Sequence, residues 1–344
     1  MAASFDYLRR LGSGHFGEVW LVIDTGLNAQ RALKLIPPDK VTNQNNFFHE
    51  AQLLKMVEHP SIVKVEEAGT MEDGTLYVAM EYLPKGSLED EAKGAYVPLS
   101  RAIRLMIDVL RGLEYAHSKN IIHRDIKPAN ILIGESMQGK LSDFGLAITR
   151  GAITKSMGVK DYAYIIHLAP EINNISDYSV ASDIFACGVT LYRLVNGDSY
   201  LQRLSLDKIH EGIANGSFPD RRKYREFIPK QIRRIINKAI SIEQNKRYKS
   251  AELLRHALEQ VPICANWNEQ VLSDRIRWSF GRDKYCVEVE RIKSDSGTYS
   301  VQTRRGSSKY TLRRITKLCL NNVNYSEAVK FSSKILQDFV TGVY

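Results

Sequence analysis

His123-Arg124-Asp125-Ile126-Lys127-Pro128-Ala129-Asn130 is the stretch on which the fold turns, followed by Asp143-Phe144-Gly145 and then by Ala169-Pro170-Glu171. Upstream, Gly12-Ser13-Gly14-His15-Phe16-Gly17 places three glycines in a turn between two β-like runs, where bare backbone amides can approach phosphate oxygens. A strand-like run, Glu18 to Asp24, follows this turn instead of a helix, which disfavours a dinucleotide-binding fingerprint. Lys34 lies in the apolar run Arg31-Ala32-Leu33-Lys34-Leu35-Ile36, and an ammonium buried there needs an anionic partner. Glu50 is the candidate, on the lone helical stretch of the first third, Asn46 to Val57. Any one of these segments arises readily by chance; six in this order, separated by suitable strands and helices, do not.

Taken together the segments resemble the eukaryotic-type (Hanks-type) serine/threonine protein kinases, over roughly Phe5 to Gln260. The resemblance implies an α+β, bilobal protein-kinase fold, with a small β-rich lobe at residues 5–83 and a helical lobe at residues 84–260. It implies ATP and Mg2+ as cofactors and proteins as substrates, itself among them as an autophosphorylating enzyme. Asp125 would accept or orient the proton of the incoming hydroxyl, while Asn130 and Asp143 would hold magnesium. Lys34, paired with Glu50, would contact the phosphates, and Lys127 would contact the transferring phosphate and mark serine or threonine acceptors. The glycine loop, through Leu11, Gly12, Gly14 and Gly17, would cover the phosphates. Val19, Ala32 and Leu132 would wall the adenine, with Met80 at the mouth of any deeper cavity and the Glu81 carbonyl and Leu83 amide as its hydrogen-bond partners. Two further matches are structural: Asp183 would fasten the catalytic loop, and Glu171 would pair with Arg247.

The texture of the chain agrees with two lobes. Short β-like runs at Tyr7 to Leu11, Glu18 to Asp24, Arg31 to Leu35, Ile62 to Ala68 and Thr75 to Tyr82 give way after Gly86-Ser87 to amphipathic helices. Those helices are placed at Ser100 to Ser118, Ser179 to Val195, Pro229 to Ile240 and Ser250 to Gln260. After Val261-Pro262 the period shifts again, with strands at Arg275 to Phe280, Lys284 to Ile292, Gly297 to Thr303 and Tyr310 to Thr316, then a helix at Ser326 to Phe339. Residues 266–344 therefore read as a separate small α+β module. Its basic residues Arg275, Arg277, Arg282, Lys284, Arg304, Arg305, Lys309, Arg313, Arg314 and Lys317 admit phosphates or a protein docking partner. Interleaved Trp267, Trp278, Phe280 and Tyr285 permit nucleic acid, and the strand-strand-strand-helix order loosely resembles double-stranded RNA-binding domains without matching their motifs. A solvated basic surface on a docking or regulatory domain is the simpler reading.

The segment between Asp143 and Glu171 is of ordinary length for the family but carries one departure from its pattern. Thr149, Thr154 and Ser156 are candidate phosphorylation sites that Arg124 could receive. Ala163-Tyr164 stands where such kinases commonly place Gly-Thr, so the hydroxyl that usually bridges the catalytic Asp and Lys is replaced by a phenol. A pseudokinase scaffold and a nucleic-acid-sensing kinase are the alternatives to an active enzyme. Every group phosphoryl transfer needs is present in the sequence, which argues against the scaffold.

The whole chain has 344 residues, 44% hydrophobic and 25% charged, which excludes collagen-like, low-complexity and wholly disordered classes. A net charge of +9 biases it toward phosphate-bearing partners. Cys187, Cys264, Cys286 and Cys319 form no CxxC pair, and no run approaches a membrane span, so a soluble cytoplasmic protein without membrane partners is expected.

Overall fold

A computed structural model describes residues 4–14, 17–38, 55, 58–93, 95–144, 165–172, 177–200, 205–282 and 285–344. Glu50, Thr149, Thr154, Ser156 and the Ala163-Tyr164 pair lie outside the described residues.

The first sheet is antiparallel, in the order β1-β2-β3-β5-β4. Its strands are β1 (Phe5–Gly14), β2 (Gly17–Asp24), β3 (Ala29–Ile36), β4 (Val65–Thr70) and β5 (Leu76–Glu81). Strand β5 is buried on both faces from Leu76 to Met80, so its apolar run has no polar alternation. On one face Tyr77 packs with Val22, Leu33 and Ala79. Gly69 is required opposite it, because a Cβ there would stand 2.6 Å from the Tyr77 ring.

The helical lobe contains α1 (Leu88–Ala92), α2 (Leu99–Ser118), α3 (Val180–Asn196), α4 (Leu206–Asn215), α5 (Lys230–Ala239) and α6 (Ala251–Glu259). A short hairpin of β6 (Ile131–Ile133) and β7 (Gly139–Leu141) underlies the join of the lobes. Along α2 the buried residues Leu99, Ala102, Ile103, Met106, Val109, Leu110, Leu113 and Ala116 recur at helical spacing and form one apolar stripe. By contrast α3 is buried without interruption from Ser182 to Asn196, the mark of a helix enclosed on all sides. It is nucleated by a capping box in which Ser179 and Ser182 satisfy each other's backbone amides. The sequence placed the long helices within a residue or two but missed α1 and α4.

The C-terminal residues build a second antiparallel sheet, ordered β12-β11-β10-β9-β8 with β13 also on β11. The strands are β8 (Asn268–Val271), β9 (Arg275–Arg282), β10 (Tyr285–Lys293), β11 (Tyr299–Gly306), β12 (Arg313–Arg314) and β13 (Leu320–Val323). Helix α7 (Tyr325–Val340) covers one face and encloses Trp278, Val287, Val289 and Val301. The expected strand from Tyr310 to Thr316 shrinks to two residues. The Thr311 hydroxyl accepts from Ser308 N at 3.1 Å and bonds both Ser307 and Ser308 hydroxyls, so side chains there close a turn in place of a ladder. Strands β8 and β13 escaped the sequence reading because Asn-Glu-Gln-Val and Leu-Asn-Asn-Val lack apolar alternation.

This module does not hang from a linker. The Tyr96 hydroxyl donates to Trp267 O (2.9 Å) and accepts from Glu269 N (2.8 Å), while Asn266 and Ser100 exchange two hydrogen bonds. Arg225 lies over the Tyr96 ring at 4.2 Å and ion-pairs with Glu269 at 2.5 Å. Deeper in the joint Arg291, 3% exposed, meets Glu226 at 2.7 Å, and Glu226 also accepts from the Ser332 and Ser333 hydroxyls. Removing one member of a buried pair strands the other's charge, at about 3–5 kcal/mol. Glu226→Ala should therefore lower the unfolding free energy by about that much, and Arg291→Met in the same chain should recover most of it, as read by urea unfolding. An unchanged midpoint for Glu226→Ala would remove this joint from the account.

Candidate active site

The two lobes meet over a cleft of about 360 Å³. Leu11, Gly12, Val19 and Ala32 form its roof; Met80, Glu81 and Leu83 form its back; Leu132 and Asp143 lie on its floor. Every one of these was singled out in the sequence. Gly14 and Gly17 pair with each other where β1 meets β2. There Gly17 has φ +138°, and a Cβ would stand 1.9 Å from Leu35 O, so only glycine returns the chain so closely over β3.

The segment joining the lobes is held by backbone and side-chain hydrogen bonds of its own. Glu81 N donates to Lys64 O at 3.0 Å, and Gly86 N donates to Leu83 O at 3.2 Å. The Glu81 carboxylate accepts from Lys64 N (2.8 Å) and meets Lys140 at 2.5 Å. Sequence reasoning missed Lys140, because its partner is 59 residues away. It also missed Val63, Ser87 and Asp90 at the cleft and the Arg9 to Tyr82 hydrogen bond (3.0 Å) at its mouth; no local pattern marks them.

Below the cleft the chain from His123 to Asn130 is fixed from inside. Asp183, near the start of α3, accepts from His123 N (2.8 Å), Arg124 N (2.9 Å) and the His117 ring (2.9 Å). Those bonds force the turn at Arg124, whose φ is +71°. Asp125 then emerges with both carboxylate oxygens 2.8 Å from Lys127 Nζ, and Asn130 Nδ2 donates to Asp125 O (2.8 Å) and Oδ2 (2.7 Å). The Asn130 amide oxygen is thereby left as a possible metal donor. Asp143, φ +55°, meets Lys34 Nζ at 2.9 Å. With Glu50 outside the described residues, Asp143 is the anion the structure gives the buried Lys34. Burial pushes the Asp143 carboxyl up, but the Lys34 ammonium, its hydrogen bond and the more distant Lys127 outweigh this and hold it below the ordinary aspartate value.

Among the described residues no cluster of three or more His, Cys, Asp or Glu side chains forms a metal cage. One carboxylate (Asp143) and one amide oxygen (Asn130) at the cleft floor suit a hard cation that takes its other ligands from phosphate and water. Glu171 and Arg247 pair in fork geometry, with two bonds of 2.7 Å. Arg247 spends its remaining donors on the carbonyls of Ser241, Ala181 and Ile242.

A two-lobed chain with a glycine turn, a buried lysine and this floor has the architecture of a protein kinase. A family model described as a protein kinase domain matches residues 5–258, and the chain belongs to that family. Serine/threonine-protein kinase PknJ of Mycobacterium tuberculosis is 32% identical over 204 residues, covering 57% of this chain and 34% of that protein. Tyrosine-protein kinase MasK of Myxococcus xanthus is 30% identical over 272 residues, covering 73% and 42%. Serine/threonine-protein kinase PrkC of Bacillus subtilis is 30% identical over 258 residues, covering 73% and 39%. The chain spans less than half the length of these three relatives.

The buried His123 ring offers a direct check of the loop. Burial holds its imidazole below the usual 6.5, against the pull of Asp183, Asp125 and Asp143. It is neutral in the fold, with Nε2–H donating to Ser142 O at 3.1 Å and Nδ1 accepting from Asp125 N at 3.3 Å. Because the folded value is depressed, this group's stabilisation is full above 6.5 and is lost as the pH falls from there toward the folded value. Histidine-ring NMR of the wild type should show a predominantly neutral Nε2–H tautomer at pH 6.5. Protonation of this ring at or above 6.5 would contradict the geometry.

Proposed function

We propose that the chain transfers the γ-phosphate of ATP to serine or threonine hydroxyls of proteins, itself included, with magnesium as cofactor. The observation that carries this reading is the convergence at the cleft floor of Lys34 on Asp143 and of Lys127 and Asn130 on Asp125. Asn130 and Asp143 would hold the metal, which when bound neutralises phosphate charge and draws it into line. Lys34 would offer its ammonium to the phosphates near the buried end of the cleft. Asp125, fixed by Lys127 and Asn130, would take the proton of the attacking hydroxyl. Lys127 would then stand beside the transferring group, where its charge counters the charge that develops.

Support for a serine or threonine acceptor comes from Lys127 two residues past Asp125 and from the names of PknJ and PrkC, whereas MasK is named a tyrosine kinase. Thr154, Ser156 and Thr149 are the proposed sites of self-modification. For residues 266–344 the reading is a regulatory or substrate-recruiting domain, supported by its firm seat on the helical lobe. No helix among the described residues is long and apolar enough to cross a membrane. A reducing, cytoplasmic setting is part of the proposal, supported by the four cysteines standing as free thiols.

Labelled ATP with a generic protein acceptor tests the reading. Wild type should transfer label, chelation of magnesium should stop transfer, and Asp125→Asn and Asp143→Asn should each lose at least about a hundredfold. Acid hydrolysis of the product should yield phosphoserine and phosphothreonine. Equal counts from wild type and Asp143→Asn would defeat the catalytic assignment, and phosphotyrosine alone would defeat the acceptor class.

A further inference from the structure

The C-terminal sheet treats its arginines in two ways. On the open face of β9, β10 and β11, Arg275, Arg277 and Arg304 are neutralised by Asp274, Glu288 and Glu290, with contacts from 2.6 to 3.5 Å. The β11–β12 hairpin is built oppositely. Residues 296–326 contain six Lys or Arg and no Asp or Glu. Arg305, Lys309, Arg313, Arg314 and Lys317 are all exposed, and none forms an ion pair among the described residues.

The register sharpens the point. Arg304 lies opposite Arg314, and Arg305 opposite Arg313, on adjacent strands. Like charges placed directly across a ladder destabilise it, and only Arg304 of these four is relieved by a carboxylate, Glu288 at 3.1 Å. A fold that pairs Arg275, Arg277 and Arg304 with carboxylates leaves Arg305 and Arg313 of this hairpin with an unrelieved repulsion that a polyanion would remove. The neighbouring aromatics narrow the choice. Tyr310 is 83% exposed at the tip, beside Lys309 at 4.9 Å, and Arg305 lies 5.9 Å from the Tyr285 ring. An exposed ring among cations offers a stacking face to an unpaired base, whereas a carboxylate has no use for it. A lipid surface would want several large apolar side chains, and between Gly306 and Leu318 Tyr310 is the only large hydrophobic that stands exposed.

We propose that the β11–β12 hairpin, Arg305 to Lys317, binds single-stranded nucleic acid, its cations on the phosphates and Tyr310 against a base. This goes beyond the kinase reading, and its test needs no catalytic activity. The full chain is titrated into fluorescently labelled single-stranded RNA and DNA oligonucleotides of mixed sequence, and anisotropy is followed over a range of salt. Binding should weaken with salt at a log–log slope of up to about −3.5. Arg305→Gln with Arg313→Gln should weaken it at least about tenfold and make the slope shallower by about 1.4. Tyr310→Ala should cost about tenfold on its own. Arg222→Gln, which removes a 91% exposed side chain on the helical lobe already paired with Asp220, should change nothing.

Duplex should compete more weakly than single strand; equal or better competition would overturn the single-strand assignment. Binding only to polyglutamate or to phosphatidylserine vesicles would overturn the choice of nucleic acid. No binding to any polyanion, or binding that the double variant leaves untouched, would overturn the site itself.

Discussion

One buried carboxylate holds the chemistry in place. Asp183 is 1% exposed, sits in the first turn of α3, and accepts the consecutive amides of His123 and Arg124 together with the His117 ring. An anion so enclosed persists only because both its oxygens accept hydrogen bonds and because the helix N-terminus favours negative charge. The consequence is geometric. Two adjacent N–H groups can meet one carboxylate only if the chain turns sharply, which it does at Arg124, and the turn delivers Asp125 to Lys127 and Asn130. The rigidity of α3 passes to the loop through this contact, alongside the packing of Ile126 into the core that α3 shares.

The same helix also carries the seat of the C-terminal module. Near its end Arg193 is clamped by Asp198 and Glu89, each at 2.8 Å. Asn196 accepts Arg225 N (3.1 Å) through its side chain and Arg225 Nε (2.8 Å) through its carbonyl. Arg225 in turn holds Glu269, which accepts the Trp278 indole at 2.7 Å. A chain of hydrogen bonds and one half-buried ion pair therefore runs from the module's core to the helix that positions the loop. The module is part of one body with the helical lobe. Its neutralised sheet face and its unneutralised hairpin point to different tasks, support in one case and contact with a partner in the other.

The fold was legible where physics is local. The period of α2, the apolar run of β5 and the ordered segments from Gly12 to Glu171 required no knowledge of distant contacts, and about half of the cleft lining followed from them. What escaped the sequence depends on partners far along the chain. Lys34 finds Asp143 across 109 residues, Lys140 finds Glu81 across 59, and Glu226 finds Arg291 across 65. Polar strands such as β13 form because β11 offers them a ladder, which no window of their own residues can reveal. The basic count of the module was visible; which cations are cancelled and which are not is decided by register alone.

The most direct test of the account is Asp183→Asn, measured as single-turnover transfer beside nucleotide affinity. Asp183 lies away from the cleft lining, so the account predicts that nucleotide binds with unchanged affinity while the transfer step slows by about a hundredfold or more. Transfer at the wild-type rate would contradict it, because the loop would then hold its geometry without the anchor from which everything else was reasoned.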